Sequence, residues 1–401
     1  MNAINLKRDW MFIISAILLF VYAFSYPVLK LWMFCLPFGV FVIYSMVKNK
    51  TLYFDNKCLI LVIVMMHIVI HDMPYNLDGE VFKFFAPIVA YLFGKSVLSY
   101  SDEIMDDNRI QCLIGSLAMG CAAQGILDVI VKIASGNIHE AGWIGLWGIY
   151  MVRTAYESNF LLLLAITAFL VATYKRCGNY KKIIIAIGVL SLINSIIIMQ
   201  GRTNVMIFIV VLVLLYILKY MQQNNYKKNG ILLVSVAIVG GIAFSVYEKL
   251  LNVYMAHHNG EDEVFFLFRD GGIFHNIRFE VAKQGLKLLI ENPNGGFITT
   301  IDPDITSTHN MWLEYGREFG LIVFLLLVMF LAMVIYNLLK MIVKYKEYDN
   351  SLLFLAVFVA LNAFYMLEPI QSISDSSQFV LIFFIISGMV SQYKEKIYIR
   401  K

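Results

Sequence analysis

Residues 321–339 read LIVFLLLVMFLAMVIYNLL, a run of 19 positions without a charged side chain. An α-helix needs about 20 apolar residues to cross the hydrocarbon core of a bilayer. Similar runs recur along the chain, in which 60% of the residues are hydrophobic and 15% are charged. A soluble core does not need so much apolar surface, so the sequence predicts an all-α, polytopic membrane protein.

Counting apolar runs of this kind predicts about twelve transmembrane helices. They divide the chain into helices 1–9 in residues 1–247, a polar loop at 248–320 that is expected to carry amphipathic helices, and helices 10–12 with a tail in residues 321–401. The predicted spans are 10–26, 31–47, 58–71, 81–98, 111–131, 159–174, 183–199, 205–220, 231–247, 321–339, 351–366 and 379–392.

The basic residues predict how these helices are oriented, because Lys and Arg are enriched in cytoplasmic loops. With the N-terminus inside, 21 of the 32 basic residues fall at cytoplasmic helix ends. Both termini are then cytoplasmic, and the long loop faces outward. The net charge of +4 follows from this orientation and does not indicate a nucleic-acid partner. None of the five cysteines lies in the outer loop, which argues against a disulfide framework or a cysteine metal site.

Two outward-facing segments carry arginines that could hold an anion. Residues 200–204 form a short connection around Arg202, where a snorkelling helix cap is the structural alternative. Residues 276–293 show amphipathic helical spacing that ends before Pro293, with Arg278 in the first turn. Backbone N–H groups at a helix start also favour an anion, so a diphosphate is a suitable ligand here.

A third segment, residues 308–320, brings a histidine to the start of the tenth span. His309 has an ordinary pKa near 6.5, which suits proton transfer from a hydroxyl at neutral pH. Trp312 and Glu314 follow closely, and a carboxylate can orient a histidine or share its task. A structural role for a loop histidine beside a tryptophan is the alternative.

Together, the order of these motifs resembles the superfamily of O-antigen ligases and Wzy O-antigen polymerases. The resemblance rests on the Arg202 connection, on Arg278, Gly285 and Pro293 at offsets of seven and eight, and on His309-Asn310 with Glu314 before a helix. It covers residues 199–328; elsewhere it depends only on the number of helices. Members of this superfamily are membrane glycosyltransferases of the GT-C class.

The resemblance implies a glycosyltransferase that uses an undecaprenyl diphosphate-linked glycan as donor on the periplasmic face of the bacterial cytoplasmic membrane. It leaves a polymerase and a ligase open, and the acidic outer loop favours the polymerase, because such a loop suits a neutral sugar acceptor. For a polymerase, the resemblance implies an inverting transfer to a sugar hydroxyl of a lipid-linked repeat unit, without a cofactor or a metal, and a chain-length regulator as a possible partner. Arg202 and Arg278 match the arginines that hold the leaving group, His309 matches the base, and Glu314 matches the acidic position. Further substrate-binding residues are expected to be Arg153, Asn310, Trp312 and Arg317.

Other functions remain open at this point. An O-antigen ligase would move the glycan to lipid A core, and a lipid-linked glycan flippase would move it across the bilayer. Asp302 and Asp304 have the spacing of a cation-binding Asp-x-Asp motif, whereas His257, His258 and His275 lack the spacing of a zinc site.

Several polar and aromatic residues near the outer ends of helices admit structural interpretations. The aromatic run before the sixth span predicts either an interfacial anchor or one wall of a glycan groove. Its members are Trp143, Trp147, Tyr150 and Tyr156. Ionisable groups near the end of a span can reach water cheaply, so structural interface roles are expected for His67, His71, Asp128 and Lys132.

Overall fold

A computed structural model describes most of the chain. The described residues are 6–28, 31–72, 81–99, 107–136, 142–173, 179–197, 202–223, 277–297, 308, 310–344, 349–367 and 379–399. Within these ranges the chain forms thirteen helices and one two-stranded hairpin.

The helices are α1 Leu6–Ser25, α2 Leu31–Asn49, α3 Asn56–Asp72, α4 Val81–Val97, α5 Asp107–Ala134, α6 Arg153–Ala172, α7 Asn179–Ile197, α8 Arg202–Gln223, α9 Ile277–Glu291, α10 Met311–Phe319, α11 Leu321–Lys344, α12 Asp349–Leu367 and α13 Val380–Ile399. The strands are β1 Gly142–Ile144 and β2 Tyr150–Val152, which pair antiparallel.

The structure confirms the helical class and places a helix at eleven of the twelve predicted spans. The ninth predicted span, 231–247, lies outside the described residues. Among the described residues, five helices are long and apolar enough to cross a membrane, as expected of a helical membrane protein. They cover Asn108–Ala134, Ala155–Ala172, Thr203–Met221, Leu321–Val343 and Asp349–Leu367. The number of crossings stays a prediction.

Glycine residues allow the central helices to approach each other closely. A Cβ atom added at Gly388 of α13 would meet the Tyr91 carbonyl of α4 and would lie 2.9 Å from the Lys95 backbone nitrogen. A Cβ atom added at Gly94 of α4 would likewise meet the Ile385 carbonyl of α13. Small residues at helix contacts are typical of membrane bundles, in which packing drives helix association.

The outward faces of the peripheral helices are strongly apolar. On α2, Leu36 is 68% exposed, and on α11, Val343 is 70% exposed. By contrast, α6 is buried along almost its whole length, as are most residues of α12. Exposed apolar faces around a buried centre are the pattern expected of helices that contact lipid.

A buried ion cluster ties several helices together at one end of the bundle, which we call the Lys95 end. Lys95 is 2% exposed, and its Nζ lies 3.0 Å from Asp55 Oδ2 and 3.0 Å from Glu395 Oε1. The start of α3 and the ends of α4 and α13 therefore meet here, as the predicted alternation of helices requires. Burial opposes ionisation of Asp55, but Lys57, Lys95 and hydrogen bonds outweigh it and lower the Asp55 pKa.

The hairpin marks the opposite end, which we call the hairpin end. Trp143 pairs with Met151, and the turn closes through Gly148, whose φ of +71° suits a glycine. Trp147 in this turn packs its ring edge-on against Phe24 of α1, with centroids 5.7 Å apart. The aromatic loop predicted from the sequence is thus a hairpin that packs on α1.

Candidate functional site

Three of the predicted site arginines stand at helix starts. Arg153 and Arg202 are the first residues of α6 and α8, and Arg278 is the second residue of α9. Their side chains lie outside the described part of the structure. A cation at a helix start is unfavourable for the helix itself, because the start carries partial positive charge. The combined charge of an arginine and a helix start is favourable for a bound anion.

The starts of α6 and α8 lie next to each other at the hairpin end. Asn204 Nδ2 donates to the Glu157 carbonyl over 2.9 Å and lies 3.4 Å from Ser195 Oγ. Asn204 and Glu157 are almost fully buried. Arg202 precedes Asn204 by two residues, and Arg153 precedes Glu157 by one turn. The backbones of these two arginines therefore enter their helices close to a shared contact.

The start of α10 is fixed by Asn310, which the sequence predicted to bind substrate. Asn310 Oδ1 accepts hydrogen bonds from the Trp312 and Leu313 backbone nitrogens at 3.1 and 3.2 Å. This is the N-cap arrangement, which satisfies donors that have no partner within the helix. Asn310 thus has a structural role, and its contact with substrate stays a prediction.

Glu314 holds the chain on one side of His309. Its Oε2 accepts hydrogen bonds from Thr308 N and from Thr308 Oγ1, both at 2.9 Å. Its Oε1 lies 2.7 Å from Arg317 Nε and 2.6 Å from Arg317 Nη2. His309 itself lies outside the described residues, but both of its neighbours, Thr308 and Asn310, are anchored. The structure thus gives Glu314 a positioning role beside the predicted base.

Arg317 is engaged with protein groups rather than pointing freely outward. Besides Glu314, its Nη2 lies 3.2 Å from Glu318 Oε1, and its Nη1 donates to the Phe297 carbonyl at 3.4 Å. Two carboxylates already neutralise this guanidinium. Substrate binding by Arg317 remains a prediction that would require it to exchange one of these partners.

Trp312 is a core residue in this structure. It is 3% exposed, and its ring packs edge-on against Phe383 at 5.1 Å and Tyr365 at 6.4 Å. The contacts continue towards α1, because the Phe379 ring lies 6.0 Å from that of Tyr365 and 5.8 Å from that of Tyr26. The start of α10 therefore lies at the hairpin end, the same end of the bundle as the start of α6.

Helix α9 packs against the same segment. A Cβ atom added at Gly285 would lie 2.8 Å from Thr308 Cγ2, so this glycine permits close approach to the residue before His309. Arg278 is seven residues earlier, which corresponds to about 10 Å along a helix. The Arg278 backbone is thus about 10 Å along α9 from the glycine that contacts Thr308.

A groove opens beside this region. It has a volume of about 200 Å³ and is lined by His67, Ile70, His71, Pro293, Asn294, Phe319 and Ile322. The His71 ring meets Phe319 edge-on at 5.9 Å. His67 and His71 thus line the wall of an open groove, and their expected position at the membrane interface stays a prediction.

Asp128 and Lys132 differ from that expectation, because they are 1% and 0% exposed. Their place near the end of a predicted span indicates interfacial residues that reach water, whereas the structure buries both. Gln124, Asp128 and Lys132 recur at intervals of four residues, so they form one polar stripe on α5. That spacing was a visible signal that α5 presents polar groups to the bundle interior.

The cation and zinc hypotheses fall on residues outside the described part of the structure, namely Asp302, Asp304, His257, His258 and His275. No family model matches this chain, and no curated protein matches it in sequence.

Proposed function

We propose that the protein is a surface-polysaccharide polymerase of the O-antigen type. In this proposal it transfers a growing glycan from undecaprenyl diphosphate to a sugar hydroxyl of a lipid-linked repeat unit on the outer face of the cytoplasmic membrane. The observation that carries the proposal is the convergence at one end of the bundle. The helix starts that bear Arg153 and Arg202 and the anchored neighbours of His309 all lie there.

The proposed reaction needs no redox step. The acceptor hydroxyl attacks the anomeric carbon of the donor glycan, the bond from that carbon to the diphosphate oxygen breaks, and the configuration inverts. His309 accepts the hydroxyl proton, while Arg202 and Arg278 hold the departing diphosphate. Arginine suits this role because its planar group binds phosphate oxygens in pairs and stays charged.

In the same proposal, Glu314 keeps the backbone beside His309 in place through Thr308. The hydrogen bonds of Asn310 fix the other side. A base within hydrogen-bond reach of its proton contributes about 10²–10⁴-fold to the rate. Small displacements of the 308–310 segment are therefore expected to reduce turnover strongly.

The test is elongation by the purified protein in detergent, with the host's own carrier-linked repeat unit as donor and acceptor. Mass analysis of a polymerase reaction will show carrier-linked glycans that grow by whole repeat units. Arg202→Ala, Arg278→Ala and His309→Ala are each expected to lower the rate about 10²-fold or more. The matched control is Arg109→Ala, which removes an arginine in the first turn of α5, at the Lys95 end.

Elongation that is equally fast in the three variants and in the control would refute the site. Transfer to added lipid A core, without elongation on the carrier, would indicate a ligase.

A second candidate, a lipid-linked glycan flippase, is favoured by one observation. Asp128, Lys132 and Glu157 are ionisable groups inside the bundle, and transporters place such groups along substrate pathways. Movement of the repeat unit across proteoliposome membranes without any new glycosidic bond would favour this candidate over the polymerase.

A further inference from the structure

Three buried polar side chains meet where α5 packs on the start of α6. Gln124 and Asn159 are 0% exposed and Asp128 is 1% exposed. Gln124 and Asp128 lie one turn apart on α5, and a Cβ atom added at Gly125 between them would lie 2.9 Å from Asn159 Cβ. We call these three residues the α5–α6 polar cluster.

The hairpin covers this cluster. The Leu146 backbone nitrogen donates to Asp128 Oδ1 at 2.8 Å. A Cβ atom added at Gly145 would lie 2.7 Å from the same oxygen. On the α1 side, Tyr26 donates from its hydroxyl to Asn159 Oδ1 at 3.0 Å. Each of these contacts occupies only one atom of an acid or amide group.

The remaining polar atoms of the cluster have no hydrogen-bond partner. They are Gln124 Nε2, Gln124 Oε1, Asp128 Oδ2 and Asn159 Nδ2. The Gln124 amide and the Asp128 carboxylate are neighbours that can pair with each other. Even then, the Gln124 oxygen and the Asn159 amide would stay unsatisfied. A buried polar group without a partner costs about 1–3 kcal/mol, so several in one place indicate that a polar ligand or water belongs there.

The mixture of donors and acceptors restricts the chemistry of that ligand. A metal cation would face the N–H groups of Asn159 and Gln124, which repel it, and an anion would face the Asp128 carboxylate. A hydroxyl group can both donate and accept, so it satisfies amide N–H groups and carboxylate oxygens together. A sugar ring offers several hydroxyls on adjacent carbons.

We propose that the α5–α6 polar cluster binds the hydroxyls of one sugar of the acceptor repeat unit, beneath the hairpin. This inference rests on the proposed function, and it gives Gln124, Asp128 and Asn159 a part in recognising which repeat unit is elongated. Asn159 lies in α6, whose first residue is Arg153, so the proposed sugar site is on the helix that begins with one of the arginines expected to bind substrate.

The variants Gln124→Met and Asp128→Asn test the proposal, because both keep nearly the same side-chain volume. The matched control is Gln392→Met on α13, where a buried glutamine also has an unpartnered oxygen but lies towards the Lys95 end. Steady-state elongation is expected to show a KM for the acceptor raised about tenfold in the test variants, with kcat changed less than about threefold. The control is expected to match the unchanged protein.

A second measurement starts from the unchanged protein, where the folding of the variants plays no part. The repeat-unit oligosaccharide, released from its carrier, is added to the unchanged protein, and deuterium exchange is followed in peptides from residues 142–152. Binding is expected to slow exchange about tenfold at the hairpin, because the ligand secures the Leu146 contact with Asp128.

The two assays separate the failure of this inference from the failure of the proposed function. If the protein elongates glycans but KM in the test variants equals that of the control, the inference is overturned and the polymerase stands. If no elongation occurs, oligosaccharide protection that is lost in Gln124→Met and kept in Gln392→Met still supports the cluster. Absence of protection in the unchanged protein overturns it and indicates a cluster filled by water alone.

Discussion

Replacement of Lys95 by methionine should destabilise the protein measurably, because it removes a charge that two carboxylates share. Lys95 Nζ lies 3.0 Å from both Asp55 Oδ2 and Glu395 Oε1. Removal of one partner from a buried ion pair costs about 3–5 kcal/mol, mainly because the other charge is left without compensation.

The structure reduces this expected cost. Asp55 keeps hydrogen bonds from the Tyr91 hydroxyl at 2.7 Å and the Cys58 nitrogen at 2.9 Å, and Lys57 stays 3.3 Å away. Glu395 is 42% exposed, so water can solvate it. We therefore expect Lys95→Met to lower the free energy of unfolding by about 2 kcal/mol, below the range for a fully buried pair.

Reversible unfolding in mixed micelles with increasing SDS measures this free energy. The double variant Asp55→Asn with Lys95→Met closes a thermodynamic cycle, and its loss should be smaller than the sum of the two single losses by about 1 kcal/mol or more. The control Lys48→Met removes an exposed lysine at the same end, over the Trp10 ring, and should cost less than about 1 kcal/mol. Additive losses within about 0.5 kcal/mol would refute the reasoning.

Three further predictions concern packing, positioning and pH. Gly388→Val should remove most of the folded protein from size-exclusion profiles, because the valine side chain would meet the Tyr91 carbonyl. The control Gly39→Ala has open space around it and should fold normally. Normal folding of both variants would contradict the packing argument. Glu314→Gln should lower the kcat of elongation by a larger factor than it changes the KM for the acceptor, since the carboxylate positions the 308–310 segment. An unchanged kcat would contradict this positioning role of Glu314. The pKa of Asp55 is lowered in the folded protein, so its ionised form contributes stability above the ordinary carboxyl range, about pH 4. This contribution is lost as the pH falls through the lowered pKa. SDS unfolding at several pH values should show that the loss of stability begins at a higher pH in Lys95→Met.

Hydropathy located the helices well because the length of an apolar run is fixed by the bilayer, whatever surrounds the helix. It could not distinguish a polar residue that faces water from one that faces the bundle interior. Asp128 and Lys132 stand near the end of α5, where either position is open, and packing against α6 and the hairpin decides for burial. The four-residue spacing from Gln124 is the sequence signal that favours a shared interior face.

For the predicted site residues, the chemistry of the side chain also did not indicate its structural role. The side chains of Asn310 and Glu314 are suited to contact a substrate, yet in the structure they start α10 and hold Thr308. An asparagine directly before a helix is also a capping signal, so the structural role could have been predicted from the same residues.

These structural roles bear directly on how the proposed reaction would be organised. Arg317 is neutralised by Glu314 and Glu318, so it adds little net positive charge for a diphosphate. In the proposed reaction the leaving group would then depend on Arg153, Arg202 and Arg278, which lie in the first turns of helices, where backbone N–H groups also favour an anion. Residues 308–320 would position the base, and the helix starts would hold the anion. A single substitution should therefore impair one role and leave the other intact.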